Sequence, residues 1–157
     1  MIRVLFVCLG NICRSPMAEA VFRKLVEQEK LQDNIQVDSC GIGSWHEGNP
    51  PHEGTRKLLD AHDIRYDDMQ ARQIQPTDLQ GFDYIIAMDE QNVKDLRTIG
   101  HPKEQVYIGR LLDFVNGAPE KDVPDTYFTG DFDQTYALVM EGCQQLLKHI
   151  MKQHHLY

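Results

Sequence analysis

No apolar run in this chain of 157 residues approaches the roughly 20 residues that a membrane-spanning helix needs. The N-terminal stretch MIRVLFVCLGN also lacks the layout of a signal peptide, because its short apolar run leads straight into polar loop residues. Positive charge is in deficit. Sixteen lysines and arginines stand against 24 aspartates and glutamates, and the formal net charge of -8 disfavours broad binding to nucleic acid or to an anionic membrane. It does not forbid an anionic substrate, since a local field can oppose the global one. Cysteine is sparse and has no Cys-x-x-Cys pair, so Cys8, Cys13, Cys40 and Cys143 fit neither a zinc site nor a disulfide framework. Internal repeats and low-complexity segments are missing as well. Together these absences lead us to expect a cytoplasmic protein with reduced thiols and no metal.

What is present reads as one globular domain spanning residues 1–157, with 41% apolar and 25% charged residues. Ile2 to Val7 is short, rich in β-branched residues and almost uninterrupted, as a strand buried on both faces would be. Ser15 offers an N-cap hydroxyl and Pro16 suits a first helical position. Ala18, Val21, Phe22, Leu25 and Val26 then follow at helical spacing. Further strands are expected at Ile35 to Cys40, Tyr84 to Met88 and Val106 to Ile108. Helices are expected up to Asp60, over Gln91 to Ile99, and along a final stripe from Tyr136 to Ile150 that includes Cys143. Two long loops interrupt this order, GIGSWHEGNPPHEGT and NGAPEKDVPDTYFTGD. Strand–helix alternation implies an α/β fold whose parallel sheet is covered on both faces.

The segment VCLGNICRSP, Val7 to Pro16, lies between the first strand and the first helix. Ligands of open α/β sheets bind there, outside the carboxyl ends of the strands. A helix N-terminus offers unpaired N–H groups and a partial positive charge, and a curved loop aims further amides at the same point. Gly10 and Asn11 are residue types that accept the positive φ of such a curve. Arg14 supplies a planar fork for two oxygens of a phosphate, and its position at the positive end of a helix dipole makes a purely structural role unfavourable. A thiol near a helix N-terminus and an arginine gains thiolate character, which points to Cys8 as a nucleophile. Ser15 can donate to that sulfur. A redox or metal pair of Cys8 and Cys13 is the competing reading. Cys40, at the end of a strand, and Cys143, on an apolar helical stripe, are expected in the core.

The string CLGNICRSP followed by MAEAVF resembles the low-molecular-weight protein tyrosine phosphatase family. VDSCGIGSWHEGNPP, ARQIQPTDLQGFDYIIAMDEQN and DVPDTYF extend the likeness along nearly the whole chain. The resemblance implies a small three-layer α/β domain with a central four-stranded parallel sheet and no cofactor. It implies that Cys8 is the nucleophile, Arg14 the phosphate clamp and Asp125 the general acid, chosen among Asp122, Asp125, Asp131 and Asp133, which spacing alone does not separate. Leu9, Gly10, Asn11, Ile12, Cys13 and Ser15 would form the phosphate-binding loop, with Ser39, His62 and Asp89 as supports. For His62, the sequence alone favours a plain structural histidine. The implied partners are phosphotyrosine proteins or peptides, with phosphate or another oxyanion held in the loop, and the chain is expected to be a monomer or weak dimer.

Trp45, the only tryptophan, and the pair Tyr127 and Phe128 sit in the Gly/Pro-rich loops and suit the walls of a phenyl-sized cleft. Thr126 and Phe128 depart from the family pattern, where a proline and a tyrosine are common. Cys13 either forms a protective disulfide with Cys8 or is a small buried side chain. Three alternatives remain. An arsenate reductase would need further cysteines, which FDYIIAMDEQN lacks. A protein-arginine phosphatase tends to carry threonine where Ile12 stands. A phosphocarrier or other non-enzymatic phosphate-binding module would have no use for an acid loop. The C-terminal HHLY is expected to be a frayed helix end.

Overall fold

The computed structural model describes residues 1–156. Its strands are β1 (Ile2–Cys8), β2 (Ile35–Gly41), β3 (Tyr84–Ala87) and β4 (Tyr107–Arg110). Its helices are α1 (Arg14–Gln28), α2 (Glu53–Ala61), α3 (Asp78–Gly81), α4 (Glu90–Ile99), α5 (Thr126–Thr129) and α6 (Phe132–Gln153), and a 3-10 turn occupies Leu111–Phe114. The strands form one parallel sheet in the order β2-β1-β3-β4.

Alternate residues of β1 enter two different cores, which explains why its sequence shows no polar alternation. Val4, Phe6 and Cys8 pack with α1 and α6 through Met17, Phe22, Val139, Leu146 and Ile150. Leu5 and Val7 pack on the other face with Leu79, Val93 and Leu96 of α3 and α4. The result is three layers, helix–sheet–helix. Cys40 and Cys143 are fully buried, one in each core. From β1 the chain winds to β2 on one side, and β3 lies on the other, so the C-terminal end of β1 is the topological switch point where a crevice opens.

Several local expectations differ from the structure. The first helix begins at Arg14, two residues ahead of Pro16, and Cys13 rather than Ser15 occupies its N-cap, without a side-chain cap. The Ser15 hydroxyl is therefore engaged elsewhere. The second long loop is broken by α5, which starts from Asp125 as N-cap and ends at Gly130 in the left-handed region, with φ 71. The strand anticipated at Val106 to Ile108 runs instead from Tyr107 to Arg110. The last helix ends at Gln153, short of the tail HHLY, within which His154 Nε2 pairs with the Tyr84 hydroxyl at 3.0 Å. Tyr157 lies outside the described residues. Among those described, no helix is long and apolar enough to cross a membrane.

Candidate active site

Between Cys8 and Arg14 the chain turns on Asn11, whose φ of 58 lies in the left-handed region. A non-glycine residue held there costs on the order of 1 kcal/mol, less for asparagine than for most. Gly10 does not share this conformation: the positive-φ glycines are Gly48, Gly117 and Gly130. Its missing side chain matters for space instead, since a Cβ would lie 3.1 Å from His46 Cδ2. The loop rests on Gly41, where a Cβ would stand 3.0 Å from the Leu9 oxygen and from Asn11 N. Backbone bonds fix the remaining positions. Ile42 N donates to the Cys8 carbonyl at 2.9 Å, Gly43 N to Leu9 at 2.9 Å, and His52 N to Ile12 at 2.7 Å.

Polar side chains complete the curve. Asn11 Nδ2 donates to Ser15 Oγ at 2.7 Å and to Ser39 Oγ at 3.0 Å, while Asn11 Oδ1 accepts from Arg72 N at 3.0 Å. Ser15 Oγ lies 3.0 Å from Cys8 Sγ, and Asn11 N donates to the same sulfur at 3.3 Å. Ser15 Oγ accepts from Asn11, and its own proton can point at the sulfur at 3.0 Å or at the Cys40 carbonyl at 3.4 Å. Asn11 N therefore donates to Cys8 Sγ, and the Ser15 hydroxyl is within reach to do so as well.

Arg14 is 2% exposed. Its NH1 donates to Asp89 Oδ2 at 2.6 Å and to the Val123 carbonyl at 3.0 Å, and its NH2 lies 3.4 Å from Asp125 Oδ2. Arg14 Nε is buried without a hydrogen-bond partner. Burial alone would depress the Arg14 pKa, but Cys8, Asp89 and Asp125 outweigh it and raise the pKa, so the guanidinium stays charged. The sheet sets this convergence: Met88 N bonds to the Val7 carbonyl at 3.1 Å, and Val123 N bonds to the Met88 carbonyl at 2.8 Å. One strand end therefore carries Asp89, the N-cap of α4, and pins the segment leading to Asp125. Asp125 accepts from Tyr127 N at 3.1 Å through its other oxygen.

A cleft of about 350 Å³ opens over the loop, lined among others by Cys8, Ile12, Cys13, Asp125, Trp45 and Tyr127. Leu9, Gly10, Arg14, His46 and Phe128 complete its lining. Trp45, Tyr127 and Phe128 are 70%, 56% and 76% exposed, so these rings stand as open walls rather than as a satellite core. Trp45 lies over Gly43, where a Cβ would come within 1.9 Å of the indole. His52 stacks on Phe132 and meets the Tyr127 ring edge-on at 6.3 Å between centroids.

His62 is not a support of the loop. It ends α2, is exposed, and stacks on Tyr136 with ring centroids 4.1 Å apart. Cys13 is a buried free thiol whose pKa is pushed up to about 12, first by burial and then by the nearby Cys8. Sequence reasoning missed Glu19, Arg72, Gly41 and Gly43. Glu19 reads as an ordinary helix-surface residue with an i,i+4 partner in Arg23, and only the fold turns it towards Ser39.

Comparison with known proteins places these features in a family context. The profile of the family described as low molecular weight phosphotyrosine protein phosphatase matches residues 3–156. The chain is 53% identical over 156 residues to the low molecular weight protein-tyrosine-phosphatase YfkJ of Bacillus subtilis, covering 99% of this chain and 100% of that protein. The crystal structure of YfkJ superimposes with a TM-score of 0.94 and covers 98% of this chain and 96% of that one. PtpA of Staphylococcus aureus is 47% identical over 152 residues, with 97% and 96% of the two chains covered. A Drosophila arginine phosphatase, DARP, is 35% identical with a TM-score of 0.87, covering 94% of this chain and 97% of that one.

Proposed function

Because the chain belongs to the low molecular weight phosphotyrosine protein phosphatase family of cysteine-dependent hydrolases, we propose that it hydrolyses phosphotyrosine in proteins through Cys8, Arg14 and Asp125. The observation that carries this assignment is the buried, charged Arg14 with its unpartnered Nε beside a sulfur that accepts from Asn11 N and lies 3.0 Å from the Ser15 hydroxyl. A phosphate oxygen supplies what Arg14 Nε lacks, and the bidentate fork favours a tetrahedral oxyanion.

The Cys8 thiolate attacks phosphorus, forming an S–P bond as the P–O bond to the tyrosyl oxygen breaks. Asp125, protonated at this stage, passes its proton to the departing phenolic oxygen. A water then attacks the cysteinyl-phosphate while Asp125 takes its proton, and the S–P bond breaks to release inorganic phosphate and the thiolate. Loop amides and Arg14 stabilise the charge in both steps. Arg14 NH2 lies 3.4 Å from Asp125 Oδ2, so a phosphate gripped by the guanidinium is within reach of the acid. Asp89 keeps Arg14 in place throughout. We place the protein in the cytoplasm, where its four free cysteines stay reduced.

The arginine phosphatase neighbour makes phosphoarginine the second reading. Ile12 and the aromatic walls present an apolar surface in the cleft, which suits a phenyl ring better than a polar phosphoguanidinium. Rates on matched phosphotyrosine and phosphoarginine peptides test the choice: phosphotyrosine is expected to be faster, and preference for phosphoarginine would overturn the substrate while leaving the chemistry intact.

A further inference from the structure

Glu19 is a buried carboxylate, 6% exposed, to which the mechanism assigns no task. Ser39 Oγ donates to its Oε1 at 2.6 Å, and Arg23 donates to its Oε2. Following the protons shows what the carboxylate does. Both protons of Asn11 Nδ2 are spent, one on Ser15 Oγ and one on Ser39 Oγ. Each serine therefore accepts from Asn11 and has one proton of its own to place. Ser39 gives its proton to Glu19, and the Ser15 proton has Cys8 Sγ at 3.0 Å as the nearer of two acceptors, the Cys40 carbonyl standing at 3.4 Å.

The Asn11 amide could in principle turn over and present Oδ1 to the serines. Ser15 would then donate to Asn11, and the sulfur would lose that donor. Two groups oppose the turn: Arg72 N, which donates to Oδ1, and Ser39, whose lone pair faces Asn11 only while its proton is committed to Glu19. We propose that Glu19 is a positioning residue that acts through Ser39 and Asn11 to hold the phosphate-binding loop in its productive hydrogen-bond direction.

The groups facing Glu19 are Arg23 from its own helix and Ser39 and Asp38 from β2. Burial, the largest influence, raises the Glu19 pKa, and Asp38 adds to this, against the opposing pull of Ser39 and Arg23. Protonation of either carboxyl oxygen would place a hydrogen against one of its two donors. The orientation of Asn11 should thus weaken on the acid side.

This inference rests on the loop being a phosphate site, and its test separates the two. In Glu19→Met, inorganic phosphate is expected to inhibit about tenfold more weakly, in keeping with a lost hydrogen bond to a charged group. Glu19→Gln, which still offers Ser39 an acceptor, restores most of that affinity. Ser39→Ala weakens phosphate in the same way, and combining it with Glu19→Met adds nothing further. The side-chain NH2 signals of Asn11 in the NMR spectrum follow the titration of Glu19 in the wild-type protein, at a pH raised from that of an ordinary glutamate, and this titration vanishes in Glu19→Gln. Additive effects of Glu19→Met and Ser39→Ala, or an Asn11 titration that persists in Glu19→Gln, would overturn the proposal. If Glu19→Met does not fold, Ser39→Ala and the wild-type titration decide the matter alone. Phosphate binding and an Asn11 titration without turnover of phosphotyrosine would instead overturn the enzymatic reading and leave Glu19 in its role.

Discussion

Two cysteines of one loop behave differently because their surroundings differ. Cys8 Sγ accepts from Asn11 N and lies 3.0 Å from the Ser15 hydroxyl, whereas Cys13 is enclosed and its pKa is pushed from 9.0 to about 12. At neutral pH Cys13 is a protonated thiol and does not compete as a nucleophile. The same shift has a stability consequence. The folded chain holds the Cys13 proton more tightly than the unfolded chain, so this contribution is complete below about pH 9 and is lost as pH rises towards 12. Thermal unfolding across that alkaline range is expected to fall less steeply in Cys13→Ala than in the wild type, and identical slopes would refute the assignment. At this scale the sequence was informative where chemistry demands a residue type, as with Cys8, Arg14 and Asp125 around one cleft. It was uninformative where only space matters: Gly41 and Gly43 look like ordinary loop glycines until the loop and Trp45 are seen packed on them.

The acid loop is the element whose order the sequence least revealed. It reads as one long irregular stretch, yet Val123 joins the end of β3 and Asp125 caps the short helix α5. Four residues of helix leave almost no periodic signal, so only the cap and the tertiary bond to Met88 define them. Thr126 opens this helix, and its backbone N–H would be unpartnered at the first helical position in any case. Asp125 before it is extended, with φ -77 and ψ 105, which a following proline accepts. Thr126→Pro is therefore expected to stabilise the fold by about 0.4–1 kcal/mol through the unfolded state. Denaturant unfolding checks this, and a loss of stability would show that Thr126 makes a contact that proline cannot replace. The strand and long-helix elements were more legible, because β1 and α6 carry apolar patterns long enough to declare themselves. The start of α1 was misread by two residues because Ser15, a good cap by type, is engaged by Cys8 and Asn11 instead.

Across the whole molecule, a net charge of -8 surrounds the site proposed to hold an anion. The contradiction resolves locally, since Arg14 is buried at the switch point of the sheet, where the loop amides and the start of α1 converge. Strand order, the turn at Asn11 and the return of the chain at Val123 all bring Cys8, Arg14 and Asp125 to one cleft from positions far apart in sequence. Trapping the intermediate shows directly whether phosphoryl transfer passes through Cys8. Asp125→Ala with p-nitrophenyl phosphate retains a good leaving group but lacks the base for hydrolysis, so phosphoenzyme should accumulate on rapid quenching. Mass spectrometry is predicted to find the phosphoryl group on Cys8 and to find none in Cys8→Ser. A phosphoryl group on any other residue, or undiminished turnover by Cys8→Ser, would contradict the account.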